Sequence, residues 1–380
     1  MLVFLFWLSI LAILYIYFGY PLLVLIYGRM RSLPVAKAPI APAVTILIAA
    51  YNEVENIGQT LQNKLELDYP EERLEIIVIS DGSDDGTDEI VQSFAPANIR
   101  LIRQQPRAGK TSALNLAVPQ ARGEIIIFSD ANSLYATDAL RKLVANFNDS
   151  AVGYVSGKMV YANPDGSLIG DGCSSYMRYE NRLRKYETEI GSIVGVDGGI
   201  DAVRKGLYQP MRADQLPDFV LPLAVIAQGY RVVYEPEAVL RETALKDSTD
   251  EYRMRVRVSL RAFWALWDMR QLLGFGTNPL FAWQLWSHKV LRYLCFLFLI
   301  AAFGTNLFLL QSGAVYRLLF LLQLICYAAA LLMPWLENKG YRWSLLNFSR
   351  YFLLLNVASA HAFCKFIGGK KQVLWTPRKG

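Results

Sequence analysis

The sequence predicts an α/β protein: a mostly parallel, doubly wound sheet with transmembrane and interfacial α-helices attached. Three observations predict it. Apolar β-rich runs, such as Ile76-Ile77-Val78-Ile79 and Ile125-Ile126-Ile127-Phe128, alternate with helical patterns. Acidic clusters follow these runs, Asp81 in ISDGSDDGT and Asp130 in IIFSDANS, and a third, Asp218, sits in QLPDFVLPL. Residues 2–27 carry no charged side chain and exceed the ~20 residues needed to cross a bilayer.

Residues 1–28 are expected as an N-terminal transmembrane helix. No basic segment precedes the apolar run, and it is longer than the ~7–15 residues of a signal peptide, so an anchor fits better than a cleaved leader. Arg29, Arg31 and Lys37 follow directly, which places the N-terminus outside and the next domain in the cytoplasm. Pro34, Pro39 and Pro42 stiffen the linker 31–42.

A soluble domain is expected over residues 43–245. Strands at 44–50, 74–80, 99–103 and 124–129 alternate with helices at 54–67, 85–94, 108–121 and 137–147. A strand at 152–161 and a charged amphipathic helix at 176–189 follow. Asp197-Gly198-Gly199 reads as a turn where backbone approaches a ligand. A helix at 219–228 and a strand at 231–234 close the domain.

Residues 246–289 read as amphipathic interfacial helices. Over 251–273, Arg253, Arg255, Arg257, Arg261 and Arg270 accompany Phe263, Trp264, Leu266 and Trp267. Three apolar runs near 290–310, 315–334 and 345–363 give C-terminal transmembrane helices over 290–366. The tail 367–380 is basic. Three spans leave that tail outside, whereas Lys370, Lys371, Arg378 and Lys379 favour the inside, so one run is expected to be re-entrant or interfacial.

The net charge of +6 suits a chain beside anionic lipid and needs no nucleic-acid partner. Cys173, Cys295, Cys326 and Cys364 form no C-x-x-C pair, which indicates neither a disulfide frame nor a zinc site. His288 and His361 lie at or in apolar segments. Acid–base chemistry in the soluble domain therefore falls to carboxylates, Lys or Tyr.

In an open α/β sheet, ligands bind beyond the carboxyl ends of strands. Ala49-Ala50-Tyr51-Asn52-Glu53 ends the first strand and Asp81-Gly82-Ser83-Asp84-Asp85-Gly86-Thr87 the second. Each alone is also an ordinary turn. Gly109-Lys110-Thr111 is not a P-loop, because Gln104 stands where the first glycine is required. Lys110 still opens a helix and can face phosphate, or solvent. Asp130 and Asn132 are the expected metal ligands. Mg²⁺ or Mn²⁺ takes oxygen ligands, and one carboxylate plus an amide predicts weak binding without nucleotide. Asp218 follows Pro217 and is placed either to cap a helix or to act as a base. Arg255, Arg257 and Arg261 can neutralise a departing diphosphate or bind lipid headgroups.

Taken in order, AAYNE, DGSDDGT, GKTSALN, SDAN, VDGG and DFVLPLAVIAQGYRVVYEPEA resemble membrane-anchored family 2 glycosyltransferases of the GT-A fold. That group includes synthases of poly-N-acetylglucosamine, cellulose and hyaluronan. The resemblance covers about residues 44–267, and Trp375-Thr376-Pro377-Arg378 also fits it. It implies inverting transfer of a sugar from a nucleotide sugar, with UDP-sugar the expected donor and a divalent cation the cofactor. It places Ala50, Tyr51, Glu53, Asp81, Lys110 and Asp130 at the nucleotide. It makes Asp130 the first acid of the D-x-D metal motif and Asp218 the base. It brings Asp197, Gly198, Gly199, Arg257, Arg261 and Trp264 to the acceptor or diphosphate.

Three departures are visible. Asn132 replaces the second Asp of D-x-D, Pro217 replaces the acid before the base, and Q-x-x-R-W is absent. Stepwise transfer to a lipid-linked or polysaccharide acceptor is the leading expectation. A processive synthase and an inert nucleotide-sugar sensor or scaffold are the alternatives. A transporter fits less well, since intramembrane charges are few. A partner membrane protein or self-association stays open.

Overall fold

The computed structural model describes residues 1–162, 172–243, 248–338 and 344–372; the Trp375–Arg378 motif lies outside them. Helices α1 (Leu2–Leu14) and α2 (Tyr20–Met30), joined by one π turn, form a 29-residue rod. Then come β1 (Val44–Ala50), α3 (Ile57–Leu65), β2 (Leu74–Ser80), α4 (Thr87–Ser93), β3 (Ile99–Arg103), α5 (Lys110–Ala117), β4 (Ile125–Asp130), β5 (Leu134–Tyr135), α6 (Ala139–Ala145) and β6 (Val152–Ala162). The domain closes with α7 (Gly172–Ile190), β7 (Asp201–Arg204), α8 (Pro217–Ala227) and β8 (Arg231–Thr243). The remainder is helical: α9 (Ser248–Asp268), α10 (Pro279–Leu285), α11 (Leu291–Tyr293), α12 (Cys295–Leu309), α13 (Ala314–Asn338) and α14 (Ser344–Ile367).

One eight-stranded sheet runs in the order β3-β2-β1-β4-β7-β6-β8-β5. The first four strands are mutually parallel, as the alternation predicts. Beyond β4 the expectation of a mostly parallel sheet is corrected. β7 pairs antiparallel with both β4 and β6, and β5 antiparallel with β8. A parallel neighbour needs a crossover that returns to the same end of the sheet. The chain instead re-enters through the Asp197-Gly198-Gly199 turn from the carboxyl edge, so β7 runs backwards. β8 continues to Thr243 rather than ending near 234, paired with β6 through two register shifts.

The central strands are buried on both faces, and alternate residues serve two cores. Leu47, Ile77, Ile79, Ile126 and Phe128 face α5 and α8 residues such as Ala113, Leu114 and Leu221. Ile46, Ile48, Ile76, Val78 and Ile127 face α3, α4 and α6 residues such as Ile57, Leu61, Val91 and Leu143.

The N-terminal rod is keyed to the domain. Tyr20 Oη donates to Glu187 Oε1 at 2.5 Å, Trp283 Nε1 donates to Tyr15 Oη at 2.8 Å, and Tyr20 and Val24 are buried against Leu183 and Ile190. Among the described residues, Leu2–Met30 and Ala314–Leu332 are long and apolar enough to cross a membrane. Pro279–Tyr293 with Cys295–Leu309, bent by 57°, adds a third if the pair is one broken span.

Among the described residues helix α14, expected as a span at 345–363, does not reach that apolarity. It lies along α9, with Ala358 and Ala362 buried against Val256, Leu260 and Phe263. Along the same contact the apolar side chains of α9, expected to lie along a membrane surface, face α14 and the domain core, while Trp267 stays 56% exposed.

Gly123 precedes β4 where the sheet backbone is nearest. A Cβ there would sit 2.4 Å from Thr45 N and 2.6 Å from Val44 C, backbone atoms that cannot yield. At Gly206 nothing lies within 4 Å. Thermal unfolding should show Gly123→Ala destabilised by about 1–3 kcal/mol and Gly206→Ala unchanged.

Candidate functional site

Strand register builds the site. Ala50 pairs with Ser80 and Ala49 with Asp130, so three parallel strands end at one level. Their loops are cross-linked. Asn52 Nδ2 donates to Asp84 Oδ1 at 2.8 Å, Asp84 N to Asn52 Oδ1 at 3.0 Å, and Glu53 N to Thr87 Oγ1 at 2.9 Å. Tyr51 lies under the Arg107 guanidinium, 3.4 Å from its ring centre. Glu53 is half-buried and accepts from Asn56.

Asp81 is fully buried, and its carboxylate is occupied by its own chain. It accepts from Gln104 Nε2 at 2.5 Å, Ala108 N at 2.8 Å and Gly109 N at 3.0 Å. Asp81 thereby shapes the loop that launches α5. Gly109, at φ +93°, turns that loop so that Lys110 opens the helix.

Lys110 Nζ lies 2.6 Å from Asp130 Oδ1 and 3.9 Å from Asp218 Oδ1. One ammonium thus joins two carboxylates from distant segments. Asp218 is the second residue of α8 and Leu216 holds the N-cap position, so Asp218 is not the capping residue. Gly198 and Gly199 make room for the pair. A Cβ at Gly198 would sit 2.9 Å from the Asp218 carboxyl, and one at Gly199 3.4 Å from Asp130 Oδ2.

Asn132 Nδ2 donates to Glu242 Oε1 at 3.2 Å. A carboxylate can only accept, so Glu242 fixes the amide and leaves its oxygen for another partner. Asp130 and Asn132 therefore offer one carboxylate and one oriented amide oxygen. That set suits Mg²⁺ or Mn²⁺ completed by phosphate and water. Among the described residues no group of three His, Cys, Asp or Glu side chains could hold a metal alone. Helix α3 clamps the loop from behind: Thr60 Oγ1 reaches Ala131 O, Lys64 Nζ reaches Ser133 O, and Asn63 bonds Tyr135 N and O.

The remaining expected residues divide. Arg261 bonds Gln215 O, and its charge acts on Asp218, with Arg257 close enough to act on Arg261. Asp197 does not offer its carboxylate to the pocket, because Arg184 holds it through both guanidinium nitrogens. Trp264 is covered by the C-terminal segment, packing on Phe366 and donating to Lys370 O. Glu242, Arg184 and Lys64 escaped the sequence reading. Lys64 alone left a signal, a charge on the apolar stripe of Ile57 and Leu61.

Crowding sets the protonation. Burial raises the Asp218 pKa, and Asp130 adds to this, while Lys110 and Arg261 oppose it. Burial also raises Glu53, with Asp130, Asp85 and Glu242 contributing. Asp201 is pushed up to about 7 by burial and by the Asp218 charge. Among the described residues neither Asp201 oxygen accepts a hydrogen bond.

Known proteins share this architecture. Residues 45–203 match the family model described as "Glycosyl transferase family 2". A poly-beta-1,6-N-acetyl-D-glucosamine synthase of Staphylococcus aureus is 30% identical over 202 residues, 52% of this chain and 48% of the relative. The chain thus spans about half of that relative's length. The Staphylococcus epidermidis synthase of the same name is 26% identical over 287 residues, 72% of this chain and 69% of its own. A mannosyltransferase from Pyrobaculum calidifontis, solved with GDP-Man and Mn²⁺, superposes with a TM-score of 0.73 at 24% identity, covering 96% of this chain and 99% of that one. That likeness establishes the shared GT-A-type fold.

Asp201 supplies a stability test. Its folded pKa lies above the ordinary 3.8, so its contribution is complete below pH ~4 and is lost as pH rises through about 7. Asp201→Asn should change stability least at pH 4 and raise it by about 2–4 kcal/mol at pH 8. Equal effects at both pH values in thermal unfolding would contradict the assignment.

Proposed function

We propose that this chain, whose residues 45–203 match the model of family 2 glycosyltransferases, performs inverting transfer of a sugar from a nucleoside-diphosphate donor. UDP-sugar is the leading donor, and the acceptor is lipid-linked or a polysaccharide at the cytoplasmic membrane face. The observation that carries this reading is the Asp130–Lys110–Asp218 arrangement at the carboxyl edge of the sheet.

The chemistry follows from the groups present. The acceptor hydroxyl oxygen bonds to the anomeric carbon while the bond from that carbon to the diphosphate oxygen breaks. Asp218 accepts the hydroxyl proton, and the electron pair leaves with the diphosphate. Attack from the face opposite the leaving group turns an α-linked donor into a β-linked product. The raised pKa of Asp218 makes it a stronger base than an ordinary aspartate. Asp130 and Asn132 would hold Mg²⁺ or Mn²⁺, which neutralises diphosphate charge when bound. Lys110 and Arg261 add fixed positive charge on the same side. The Mn²⁺ bound to the Pyrobaculum calidifontis structure supports a divalent cation here.

The C-terminal geometry supports a membrane topology. Lys371 pairs with Asp214 and Lys370 O accepts from Trp264, so the segment after α14 returns to the catalytic domain. With the N-terminal rod, α12 and α13 crossing and α14 remaining on the domain side, the domain and residues 368–372 share the cytoplasmic face. Arg29, Arg31 and Lys37 then lie on that face too. Stepwise transfer is the preferred mode. A processive synthase is the second reading, favoured by the name of the Staphylococcus aureus relative, and the product-length distribution separates the two.

Two experiments test this. Asp218→Asn should lower turnover by roughly 10²–10⁴-fold while donor binding stays within about threefold of wild type; near-normal turnover in the purified variant would end the base assignment. Glu242→Gln should weaken Mn²⁺ binding with nucleotide present, read by electron paramagnetic resonance, by roughly 10–100-fold. Adding Asn132→Asp should restore it, since a carboxylate cannot flip. No change in either variant would remove Glu242 from the site.

A further inference from the structure

Helix α5 opens with two polar residues, and the transfer chemistry above uses only the first, Lys110. The second, Thr111, is 1% exposed. Its hydroxyl donates to the Gln215 carbonyl oxygen at 2.9 Å. Asn115, one turn on and on the same face of α5, grips the same stretch of chain. Its Oδ1 accepts from Met211 N at 3.0 Å and its Nδ2 donates to Met211 O at 2.6 Å.

Helix α9 holds that stretch as well. Arg261 donates to the same Gln215 carbonyl. Asp268 Oδ2 accepts from Gln215 Nε2 at 2.9 Å and from Arg212 Nη2 at 2.6 Å. Residues 211–215 are therefore a strap fastened to α5 and to α9.

The strap leads stiffly to the base. Leu216 is extended, at φ −89° and ψ 109°, as a following proline requires, and the Pro217 ring fixes the next φ. Asp218 comes next. Phe219 N and Val220 N both return to Leu216 O, at 3.0 and 2.8 Å, so the first turn of α8 moves with the strap. At the other end Thr111 is joined covalently to Lys110, whose ammonium stands 3.9 Å from the Asp218 carboxylate. One hydroxyl thus closes a ring of contacts that runs from Lys110 through Thr111, Gln215 and Asp218 back to Lys110.

We infer that Thr111 is a positioning residue for the transfer reaction, setting the distance between the Lys110 ammonium and the Asp218 carboxylate through the Gln215 carbonyl. Being buried, it touches neither donor nor acceptor and acts through Asp218. This rests on the reading of Asp218 as the base. Without the hydroxyl the carbonyl is held by Arg261 alone, so the strap follows α9 rather than α5. Lys110 travels with α5 and keeps Asp130 at 2.6 Å, while its hold on Asp218 loosens. The donor side of the pocket stays intact and the base side shifts. Displacements of about 1 Å at a reacting group can cost ~10²-fold in rate.

The test uses the full chain in detergent. Thr111→Val keeps the shape and removes the donor, whereas Thr111→Ser keeps the donor. The first readout needs no turnover. A water-soluble carbodiimide joins a lysine to a carboxylate in contact with it, and Lys110, Asp130 and Asp218 are all partly exposed. Peptide mass spectrometry gives the ratio of Lys110–Asp218 to Lys110–Asp130 links within one sample. Thr111→Val should lower that ratio by about threefold, the effect of one lost hydrogen bond on the populations, and Thr111→Ser should keep it.

The second readout is nucleoside diphosphate release with Mn²⁺ and membrane lipid extract, from UDP-N-acetylglucosamine, UDP-glucose and GDP-mannose. Thr111→Val should lower kcat by about tenfold with the donor KM within about twofold of wild type, and Thr111→Ser should recover it. On an Asp218→Asn background Thr111→Val should cost nothing further. A role in stability alone would lower the melting temperature and cost the same on both backgrounds.

An unchanged link ratio in a folded Thr111→Val variant, or an equal loss of turnover on both backgrounds, would overturn the assignment. Near-normal turnover in Asp218→Asn strikes the base reading, and release from none of the donors strikes the transfer reading. In both cases the link ratio still decides whether Thr111 sets the Lys110–Asp218 distance.

Discussion

Like-charge crowding at the carboxyl edge of the sheet governs this structure. Asp130, Asp201, Asp218, Glu53 and Glu242 converge there, and the Lys110 ammonium sits between two of them. Two unit charges 4 Å apart interact by about 4 kcal/mol at a near-surface effective dielectric. The pocket responds in two ways. Lys110 joins Asp130 to Asp218, and burial and repulsion raise the affinity of Asp218 and Asp201 for protons. A site with such an excess of carboxylate favours ligands that bring cations. An Asp at 132 in place of the amide would add a further charge beside Glu242.

The scaffold holds this crowding in place. Helix α3 fixes the loop after Asp130 through Thr60, Asn63 and Lys64, and Asp81 fixes the loop before Lys110. On the membrane side, Glu187 receives both Tyr20 Oη and His288 Nδ1, while Glu180 meets His288 Nε2 and Arg292. The N-terminal rod, α7 and the C-terminal helices are thereby tied into one buried polar network. Breaking one partner of such a network leaves uncompensated buried charge, so the network couples the N-terminal rod to the domain.

Much of this was legible in the sequence because its signals are local. The parallel half of the sheet follows from long apolar runs ended by Asp and Gly, and Asp130, Lys110 and Asp218 stand where those patterns place them. The mixed half was not legible. β5 and β7 are two and four residues long and too short to show a period. The partners of Asp197, Asp81 and Asn132 come from distant positions, and no local pattern announces that Arg184, the 104–109 loop or Glu242 will reach them. The packing of the α14 alanines Ala358 and Ala362 against α9 was likewise not announced by any local pattern.

The most direct measurement is nucleoside diphosphate release by the purified full-length protein from a panel of nucleotide sugars, with and without Mn²⁺ or Mg²⁺. The account predicts release from one preferred donor, dependent on the divalent cation and strengthened by membrane lipid. Donor binding with no release under any of these conditions would contradict it, and would leave the carboxylate cluster as a binding site without chemistry.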